Sequence, residues 1–453
     1  MKINMQWMLA TILICSSCVF TSCTNDSKDT PSQPEQPEKT YSASTRELIT
    51  LVNSNAQLKS LLEKAIAKGV EINPDRETNP AQTLSEYYDF VEWAAHAMPW
   101  TVINQPEGTD IFTRIDQSLN YFFFINDIPL DELDGQSLYN NSLQYFEPYR
   151  SWLKTFAKAW GAYLDTEDSW NQAYYDIVAK EDTFGISKGW YEDASNWKTF
   201  NQFFARKLNS PAVRPIASLE DNSVVVSPAD ACTQGVWQID KEGYIVQDEK
   251  AGVQVKSKKF SSIAELVGPN SQYRDAFNGG TLTHSFLNVY DYHRYHFPMT
   301  GKVKEVNLIE ADYAVGGTIT WNPETKKYDL FCDTPGWQSI ETRGCVILET
   351  PDYGVVALLP IGMMPVMSIN WAPEVKVGAE VTKGQELGYF LFGGSDFVIL
   401  FQSGISFTLK PKLFSHQRMG EELGRLNWQV LKSWLSSHLS HTRQNELVHS
   451  ALV

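Results

Sequence analysis

Positive charge is scarce in this sequence. The 453 residues contain 38 Lys and Arg against 54 Asp and Glu, which gives a formal net charge of −16 at pH 7. Duplex binding depends on Lys and Arg side chains that neutralise phosphates, so this balance argues against a nucleic-acid partner. It also argues against a broad basic face for membrane docking, although it leaves room for a local patch. The length allows two domains, each with its own core.

The N-terminal apolar run is too short to cross a membrane. It extends from about Trp7 to Phe20 behind Lys2, whereas a spanning helix needs about 20 apolar residues. We therefore expect residues 1–23 to be a signal peptide. The run ends in VFTSC, which resembles a bacterial lipobox whose Cys, here Cys23, is diacylated. Two acyl chains anchor a protein stably, so we expect a lipid-anchored protein of the bacterial cell envelope. A cleaved signal without lipid is the alternative.

Cysteine is also sparse. Of the six Cys, two lie in the segment that would be removed and Cys23 is the expected lipid site. The remaining three have no CxxC spacing, so no metal cluster is predicted. They are Cys232, Cys332 and Cys345. At most one disulfide can form among them, with Cys332 and Cys345 as one possible pair that an exported protein permits but does not require.

Two regions that differ in composition and apolar pattern follow. Residues 24–41 are polar and proline-rich, which is typical of a tether. From 42 to 196, apolar residues recur at steps of three and four, which predicts a helical domain. We expect helices over Leu48–Ile66, over Leu84–Ala97 and around Trp152–Tyr163. The aromatic stripe of the third helix is interpreted as core, not as a ligand site.

From Trp197 onward, short apolar runs are broken by Gly, Pro, Asp and Asn, which predicts a mostly β domain over 197–453. The stretch VKVGAEVTKGQELGYFLFGG indicates hairpins that fold back on each other. A C-terminal helix is expected from Asn427 to about Leu439. The expected fold class is α+β, a helical domain followed by a hairpin-rich, barrel-sandwich-like β domain.

One predicted strand has an unusual interruption. FLFGGSDFVILF, residues 390–401, is rich in strand formers but contains two consecutive glycines, Gly393 and Gly394. Glycine inside a strand marks a bend, a bulge or a close backbone approach. A hairpin turn is the simplest interpretation from these residues alone.

Histidine and aspartate supply the other candidates for chemistry. His293 and His296 stand three apart in DYHRYHFP, where the nearby proline suggests that a strand ends and that both rings can face one cleft. A metal site would need a third ligand at a recognisable spacing, and none is present. Asp230 follows an apolar strand in VVVSPADA, at a position where polar groups are often presented to a site. A Ser, a His and an Asp from different strand ends can form a nucleophile, its base and the group that orients the base.

Four ordered motifs between Trp197 and Arg425 resemble the phosphatidylserine decarboxylase family. They are NWKTFNQFFARKL, VSPADA, YRDAFNGGTLTHSFLNVYDYHRYHFPMTGKV and GQELGYFLFGGSDFVILF. The resemblance implies a proenzyme that cuts itself before a Ser and converts that Ser to a pyruvoyl group. The helical region is similar to the N-terminal domain of a related branch, some of whose members decarboxylate aromatic amino acids such as tryptophan.

The resemblance also assigns roles to residues. It implies cleavage between Gly394 and Ser395, with Ser395 Oγ attacking the Gly394 carbonyl and the pyruvoyl cofactor forming from Ser395. His296 would be the base for this step, with Asp230 orienting it, and His293 would act during decarboxylation. Two positions depart from the usual pattern: Asp396 stands where Thr is more common, and Ala231 stands where Gly is usual. We expect Asp396 to place a carboxylate beside the cleavage site.

The implied reaction is decarboxylation of phosphatidylserine to phosphatidylethanolamine, at a membrane reached through the lipid anchor. Decarboxylation of a soluble, possibly aromatic, amino acid is an alternative. A non-catalytic envelope binding protein is a second one. The sequence predicts neither the substrate headgroup nor the oligomeric state.

Overall fold

The computed structural model describes residues 39–101, 108–134, 141–246, 262–310, 318–331, 341–362, 368–393 and 395–428. From Tyr41 onward these residues belong to one compact unit. The expected signal peptide, Cys23, Cys332 and most of the tether lie outside the described residues, so those expectations stay predictions. In the part of the chain that the structure describes, we find no helix with the length and apolarity that a bilayer crossing requires.

Helices dominate the first half of the unit. They are α1 (Ala43–Ser54), α2 (Ala56–Ile72), α3 (Leu84–Ala94), α4 (Ile111–Asp127), α5 (Tyr149–Leu164), α6 (Gln172–Ala179), α7 (Phe200–Phe204) and α8 (Ile263–Val267).

Three differences from the sequence-based helices have local causes. The predicted helix over 48–66 is two helices, because Asn55 interrupts it and its side chain accepts a hydrogen bond from the Leu58 N–H at 2.9 Å. The predicted helix at Leu84 ends at Ala94, three residues early. Helix α4 was not predicted, because its second half is buried all round and therefore lacks a one-sided apolar pattern.

Antiparallel strands form the second half. They are β1 (Val224–Val226), β2 (Ala231–Gln238), β3 (Thr281–Leu287), β4 (Arg294–His296), β5 (Gly301–Ile309), β6 (Thr318–Asn322), β7 (Lys327–Phe331), β8 (Thr342–Thr350), β9 (Gly354–Gly362), β10 (Asn370–Trp371), β11 (Glu380–Val381), β12 (Glu386–Tyr389), β13 (Ser395–Phe401), β14 (Ile405–Leu409), β15 (His416–Gln417) and β16 (Glu422–Trp428). The main sheet has the order β11-β5-β8-β9-β13-β3-β2-β15, beside two three-stranded sheets, β1-β16-β14 and β10-β12-β4, and the hairpin β6-β7. The α+β class predicted from the sequence is confirmed.

The main sheet separates two apolar cores, as strand β13 shows. Successive side chains of a strand point to opposite faces. Phe397, Ile399 and Phe401 join the large core that contains the buried residues of α1–α5, whereas Val398 and Leu400 join a smaller core with α8. The helical region and the sheet-rich region therefore share one core, and the domain boundary predicted at 196/197 stays a prediction.

Two predictions for the C-terminal half are corrected. Strands β11 and β12 do not fold back on each other: β11 pairs with β5 in the main sheet, and β12 pairs with β10 and β4. The helix predicted to begin at Asn427 is also wrong at its start, because Asn427 and Trp428 end strand β16, paired with β14. The rest of that predicted helix lies outside the described residues.

Candidate active site

Ser395 is the first residue of β13 and lies in the middle of the main sheet. It pairs with Leu287 of β3 on one side and Gly362 of β9 on the other. The side chain is fully buried, and its Oγ has no hydrogen-bond partner among the described residues. Gly393 has φ +150°, a value that L-residues with side chains rarely adopt. Gly393 thus marks a bend shortly before β13 starts. Gly394 itself lies outside the described residues.

The segment before Ser395 is held from two sides. Leu391 N–H donates to Ser368 Oγ at 2.8 Å, and Phe392 N–H donates to the Asn201 side-chain oxygen at 3.0 Å. Asn201 is buried, and its Nδ2 donates to Asp165 Oδ1 at 3.0 Å, just beyond the end of α5. Two successive hydrogen bonds, from Asn201 to Asp165 and from Phe392 to Asn201, therefore hold the backbone three residues before Ser395.

Aromatic rings pack around the same segment. The Phe392 ring makes edge-on contacts with three rings, with centroid distances of 5.8 Å to Trp160, 5.2 Å to Phe200 and 5.4 Å to Phe204. Trp160 comes from α5, whose stripe was predicted to be core, and the burial of Trp152, Phe156 and Trp160 agrees with that prediction. Burial of this kind excludes water from the peptide that leads into Ser395.

Backbone register brings the other candidate residues to the same end of the sheet. Ser395 begins β13, Asp230 immediately precedes β2, and the segment 288–293 follows β3. Asp396 pairs with Phe286, Phe286 with Cys232, and Cys232 with His416, so these four residues form one row across β13, β3, β2 and β15. Residues far apart in the chain thus meet at one sheet end.

His293 is a fully buried, neutral imidazole. Its ring stacks on Phe204 with centroids 3.8 Å apart, and its Nδ1 donates to the Asp291 carbonyl at 2.9 Å. That bond places the ring proton on Nδ1, so Nε2 is left as an acceptor, and Nε2 has no hydrogen-bond partner among the described residues. Burial lowers the pKa of His293 well below its ordinary value, and the positive charge of Arg206 lowers it further.

His296 is the second neutral imidazole. Its Nδ1 donates to the Gly384 carbonyl at 2.8 Å, so Nε2 accepts from the Tyr292 hydroxyl at 3.1 Å. Burial lowers the pKa of His296, opposed by the bond to Gly384 and by the negative charges of Glu386 and Asp230. An uncharged ring whose Nε2 carries no proton is the form that can take one up, and here this nitrogen already accepts the hydrogen bond from Tyr292.

Asp230 does not orient His296 by direct contact, which corrects the expectation from the sequence. Both ring nitrogens of His296 have other partners, and the Asp230 carboxylate is held by Arg214. Arg214 Nε donates to Oδ1 at 2.9 Å and Nη2 to Oδ2 at 2.5 Å, while Met419 N–H donates to Oδ1 at 2.8 Å. Asp230 and Arg214 are both buried. The influence of Asp230 on His296 is therefore electrostatic, through a charge that favours the protonated ring.

Asp396 also behaves differently from the expectation. As the next residue in β13, it points to the opposite face of the sheet from Ser395, into the smaller core. There its Oδ1 lies 2.5 Å from His284 Nε2. Burial raises the pKa of Asp396, opposed by the hydrogen bond and charge of His284. The sequence places Asp396 next to the cleavage site in the chain, but the pleat of the strand turns its carboxylate away.

A further ion pair lies at the same end of the sheet. His416 Nε2 is 2.7 Å from Asp291 Oδ1, and both line a cavity of about 180 Å³ together with Asp230, Tyr191 and Tyr290. Burial raises the pKa of Asp291 to about 6, although His416 opposes the rise. Burial alone would lower the pKa of His416, but Asp291 outweighs this effect and raises it.

The cysteines contribute no cluster. Cys345 is buried in the smaller core and forms no disulfide with a described residue, and Cys232 is a free thiol near Asn288. Groups of three or more His, Cys, Asp or Glu side chains arranged to hold a metal ion do not occur in the described ranges.

Sequence reasoning missed four residues that the structure brings to the site. Asn201 lies in the motif NWKTFNQFFARKL, which was quoted without a role for it, and Asp291 lies in DYHRYHFP beside the two histidines. Arg214 and His416 belong to no quoted motif. Only the pairing of distant strands and loops identifies their partners, so no local signal marks them.

Comparison with known proteins finds relatives that match mainly the sheet-rich half of the chain. The family model described as phosphatidylserine decarboxylase matches residues 200–425. Decarboxylase iboD of Amanita muscaria is 28% identical over 304 residues, which cover 61% of this chain and 83% of that protein. The phosphatidylserine decarboxylase proenzyme of Chlamydia felis is 32% identical over 244 residues, 52% of this chain and 71% of that protein. Phosphatidylserine decarboxylase proenzyme 2 of Komagataella phaffii is 35% identical over 208 residues, 45% of this chain but only 18% of that protein.

These relatives place the chain among the carboxy-lyases, and it is a decarboxylase. In particular, the chain belongs to the phosphatidylserine decarboxylase family.

Proposed function

We propose that the chain is a self-processing, pyruvoyl-dependent enzyme that decarboxylates phosphatidylserine to phosphatidylethanolamine and carbon dioxide. The observation that carries the proposal is the buried Ser395 Oγ, without a hydrogen-bond partner among the described residues, at the start of β13 directly after a glycine bend. The proposed substrate is the one in the name of relatives such as the phosphatidylserine decarboxylase proenzyme of Chlamydia felis.

Self-processing would begin at this hydroxyl. Ser395 Oγ gives up its proton and forms a bond to the Gly394 carbonyl carbon, the amide C–N bond breaks, and the Ser395 nitrogen takes up a proton to become a free amine. Loss of the Ser395 α-proton then expels the Gly394 carboxylate and leaves a dehydroalanine end, which adds water and releases ammonia. The residues present suit this chemistry, because the Ser395 side chain is buried, its Oγ has no hydrogen-bond partner among the described residues, and Gly393 tolerates a positive φ.

His296 is the base that we assign to this step. It is neutral because burial lowers its pKa, and its Nδ1–H bond to Gly384 leaves Nε2 able to take a proton. Asp230 stabilises the resulting imidazolium through its charge, not through a hydrogen bond. A positioned base contributes about 10²–10⁴-fold to such a proton transfer.

The pyruvoyl ketone, once formed at position 395, supplies an electron sink for the carbon that loses carbon dioxide. The residues around it would exclude water and hold protons. His293, stacked on Phe204 with Nε2 unpartnered among the described residues, is placed to position the substrate or to hold the proton returned to its α-carbon. The rings of Phe200, Phe204 and Phe392 supply the apolar surroundings in which a carboxylate is lost most readily.

A second candidate function is decarboxylation of a free amino acid. The observation that favours it is the complete burial of Ser395 and His293, together with the small volume, about 180 Å³, of the cavity that Asp230 and Asp291 line at the same end of the sheet. A small substrate fits such a site without a groove for acyl chains. Assaying the purified enzyme on phosphatidylserine vesicles and on free tryptophan separates the two, and activity on the amino acid alone would refute the phospholipid proposal.

Export and lipid attachment at Cys23 complete the proposal. They rest on the apolar run and on the VFTSC sequence that ends it. Metabolic labelling with a radioactive fatty acid tests them, because the Cys23→Ser chain should incorporate none.

Intact-mass measurement of the purified protein tests self-processing. We expect two fragments, of which the smaller begins at residue 395 and resists N-terminal sequencing because its end is a ketone. Ser395→Ala should remain a single inactive chain. A single uninterrupted chain in active wild-type protein would overturn the proposal.

A further inference from the structure

An apolar loop tip projects from the surface between β14 and β15. Leu413 and Phe414 are 51% and 67% exposed. In the part of the chain that the structure describes, this is the one place where two consecutive large apolar side chains are both exposed. Single exposed apolar residues are normal, but adjacent ones at a loop tip are typical of an interaction surface. We call residues 410–414 the tip loop.

Hydrogen bonds hold the tip loop in a backbone conformation that is unfavourable at Phe414. Phe414 has φ +62°, which is unfavourable for a bulky side chain. Its N–H donates to the Thr233 carbonyl of β2 at 2.7 Å, and the next residue, Ser415, donates to the Lys412 carbonyl through both N–H (3.2 Å) and Oγ (2.6 Å). The strain presents the aromatic ring to solvent, and strained residues concentrate at functional sites.

Positive charge flanks the apolar tip in a chain that is strongly acidic overall. Lys410 and Lys412 stand just before Leu413 and Phe414. Lys410 pairs with Glu422 at 2.7 Å, whereas Lys412 is exposed and forms no ion pair within the described ranges. Apolar side chains beside lysine are the combination that binds an anionic membrane surface, where the rings enter the interface and the ammonium groups meet the headgroups.

The tip loop is also close to the candidate active site. It leads directly into β15, where His416 pairs with Cys232 and lines the cavity with Asp230 and Asp291. Three strand spacings, roughly 14 Å, separate β15 from β13, which begins with Ser395. A membrane that contacts the tip loop would therefore lie near the end of the sheet at which the candidate residues meet.

We propose that Leu413 and Phe414 insert into the interfacial region of an anionic lipid bilayer and hold the active site at the headgroup level. The inference rests on the proposed phospholipid substrate and adds a means of reaching it that is separate from the lipid on Cys23. Pairing of two chains through the same tip is the competing explanation of its exposure.

Vesicle flotation tests the proposal with the expected mature chain. All proteins begin at residue 24, so that neither the apolar signal run nor a lipid on Cys23 masks weaker contacts. The parent is compared with Leu413→Ser/Phe414→Ser and with Phe414→Gly, which removes the ring while suiting the positive φ. Val377→Ser is the matched control, because Val377 is 66% exposed on a different loop. The vesicles contain phosphatidylcholine and phosphatidylglycerol in equal amounts, or phosphatidylcholine alone.

We expect the parent and Val377→Ser to float with the anionic vesicles, and the double variant to partition about tenfold more weakly or worse. Phe414→Gly should be intermediate, and the parent should bind the neutral vesicles less well. Three results would overturn the proposal: a parent that does not float, variants that float as well as the parent, or a parent dimer in light scattering that the double variant loses.

Activity assays distinguish the proposed membrane docking through the tip loop from the proposed phospholipid substrate, on which the docking proposal rests. Decarboxylation of phosphatidylserine in vesicles should require the tip, whereas decarboxylation of a short-chain, soluble phosphatidylserine should not. Flotation through the tip without activity on either lipid would refute the proposed substrate alone. Equal vesicle activity in the parent and the double variant would refute the docking role alone.

Discussion

The side-chain oxygen of Asn201 accepts a hydrogen bond from the backbone N–H of Phe392 at 3.0 Å, three residues before the proposed cleavage serine. The same amide donates through Nδ2 to Asp165 Oδ1 at 3.0 Å. This amide thus connects the end of α5 to the segment whose backbone must bend for Ser395 to reach the preceding carbonyl. In the self-processing proposed above, the helical region would support this segment through that contact.

Asn201→Ala should slow self-cleavage without unfolding the chain. Loss of one oriented hydrogen bond of about 1 kcal/mol, plus some misplacement of the loop, predicts a cleavage rate lower by roughly tenfold. The time course of fragment formation on a denaturing gel measures it, with circular dichroism to confirm folding.

A swap of partners supplies the control for Asn201. Asn201→Asp alone would oppose two carboxylates and should also slow cleavage. Asn201→Asp with Asp165→Asn restores one donor and one acceptor with their positions exchanged, keeps an acceptor for the Phe392 N–H, and should recover most of the rate. Cleavage of Asn201→Ala at the wild-type rate would show that the contact does not position the loop.

The buried pair of Asp396 and His284 should affect stability and leave processing alone, because both side chains lie across the sheet from Ser395. Asp396→Leu or His284→Leu leaves the other buried polar group without its partner. Either change should lower the free energy of unfolding by about 1–3 kcal/mol. The double Leu variant should lose less free energy of unfolding than the sum of the losses in the two single variants. Urea unfolding of these variants in the uncut Ser395→Ala background measures the effect. Cleavage more than a few fold slower in Asp396→Asn would contradict the separation of the two faces.

Self-cleavage should tolerate mild acid. The base must be neutral, and burial lowers the pKa of His296 below 6.5, so the rate should be flat above that pH and fall only under it. Asp230→Asn removes a negative charge that favours the protonated ring. Self-cleavage of this variant should be roughly tenfold slower, and the pH at which its rate is half of the maximum should be lower. Rates across a pH series, started by refolding the chain, give both values, and a midpoint above 6.5 would exclude His296 as the base.

Arg214 should be essential to the fold of the site. Its guanidinium makes both side-chain contacts to the buried Asp230 carboxylate, and a lysine cannot reproduce two parallel bonds. Arg214→Met would leave a buried carboxylate without its cation and should lower the free energy of unfolding by about 3–5 kcal/mol. The melting temperature of Arg214→Lys should lie between those of wild type and Arg214→Met. If Arg214→Met melts like wild type, the ion pair does not stabilise this part of the fold.

Several features could be read from local patterns. The α5 stripe and the bend at Gly393 follow from residues within a few positions of each other, the mixed class follows from patterns along the whole chain, and the role of Ser395 follows from the family resemblance. The predicted helix over 48–66 failed at a single capping residue, Asn55, whose side chain ends one helix and starts the next. Strands β11 and β12 were assigned to one hairpin because they are adjacent in the chain, but tertiary packing pairs them in different sheets.

Residue type and order, with the family resemblance that they carry, gave the candidate reacting groups: a serine after two glycines, two histidines three apart, and an aspartate at the end of an apolar strand. Tertiary structure decided how these groups are used, because only folding sets partners and burial. It gave Asp230 to Arg214 instead of His296, and it brought Asn201 to the loop before Ser395. Strand pleating turned the Asp396 carboxylate to the far side of the sheet. Hydrogen bonds and desolvation depend on distances between residues remote in the chain, and local sequence does not encode those distances.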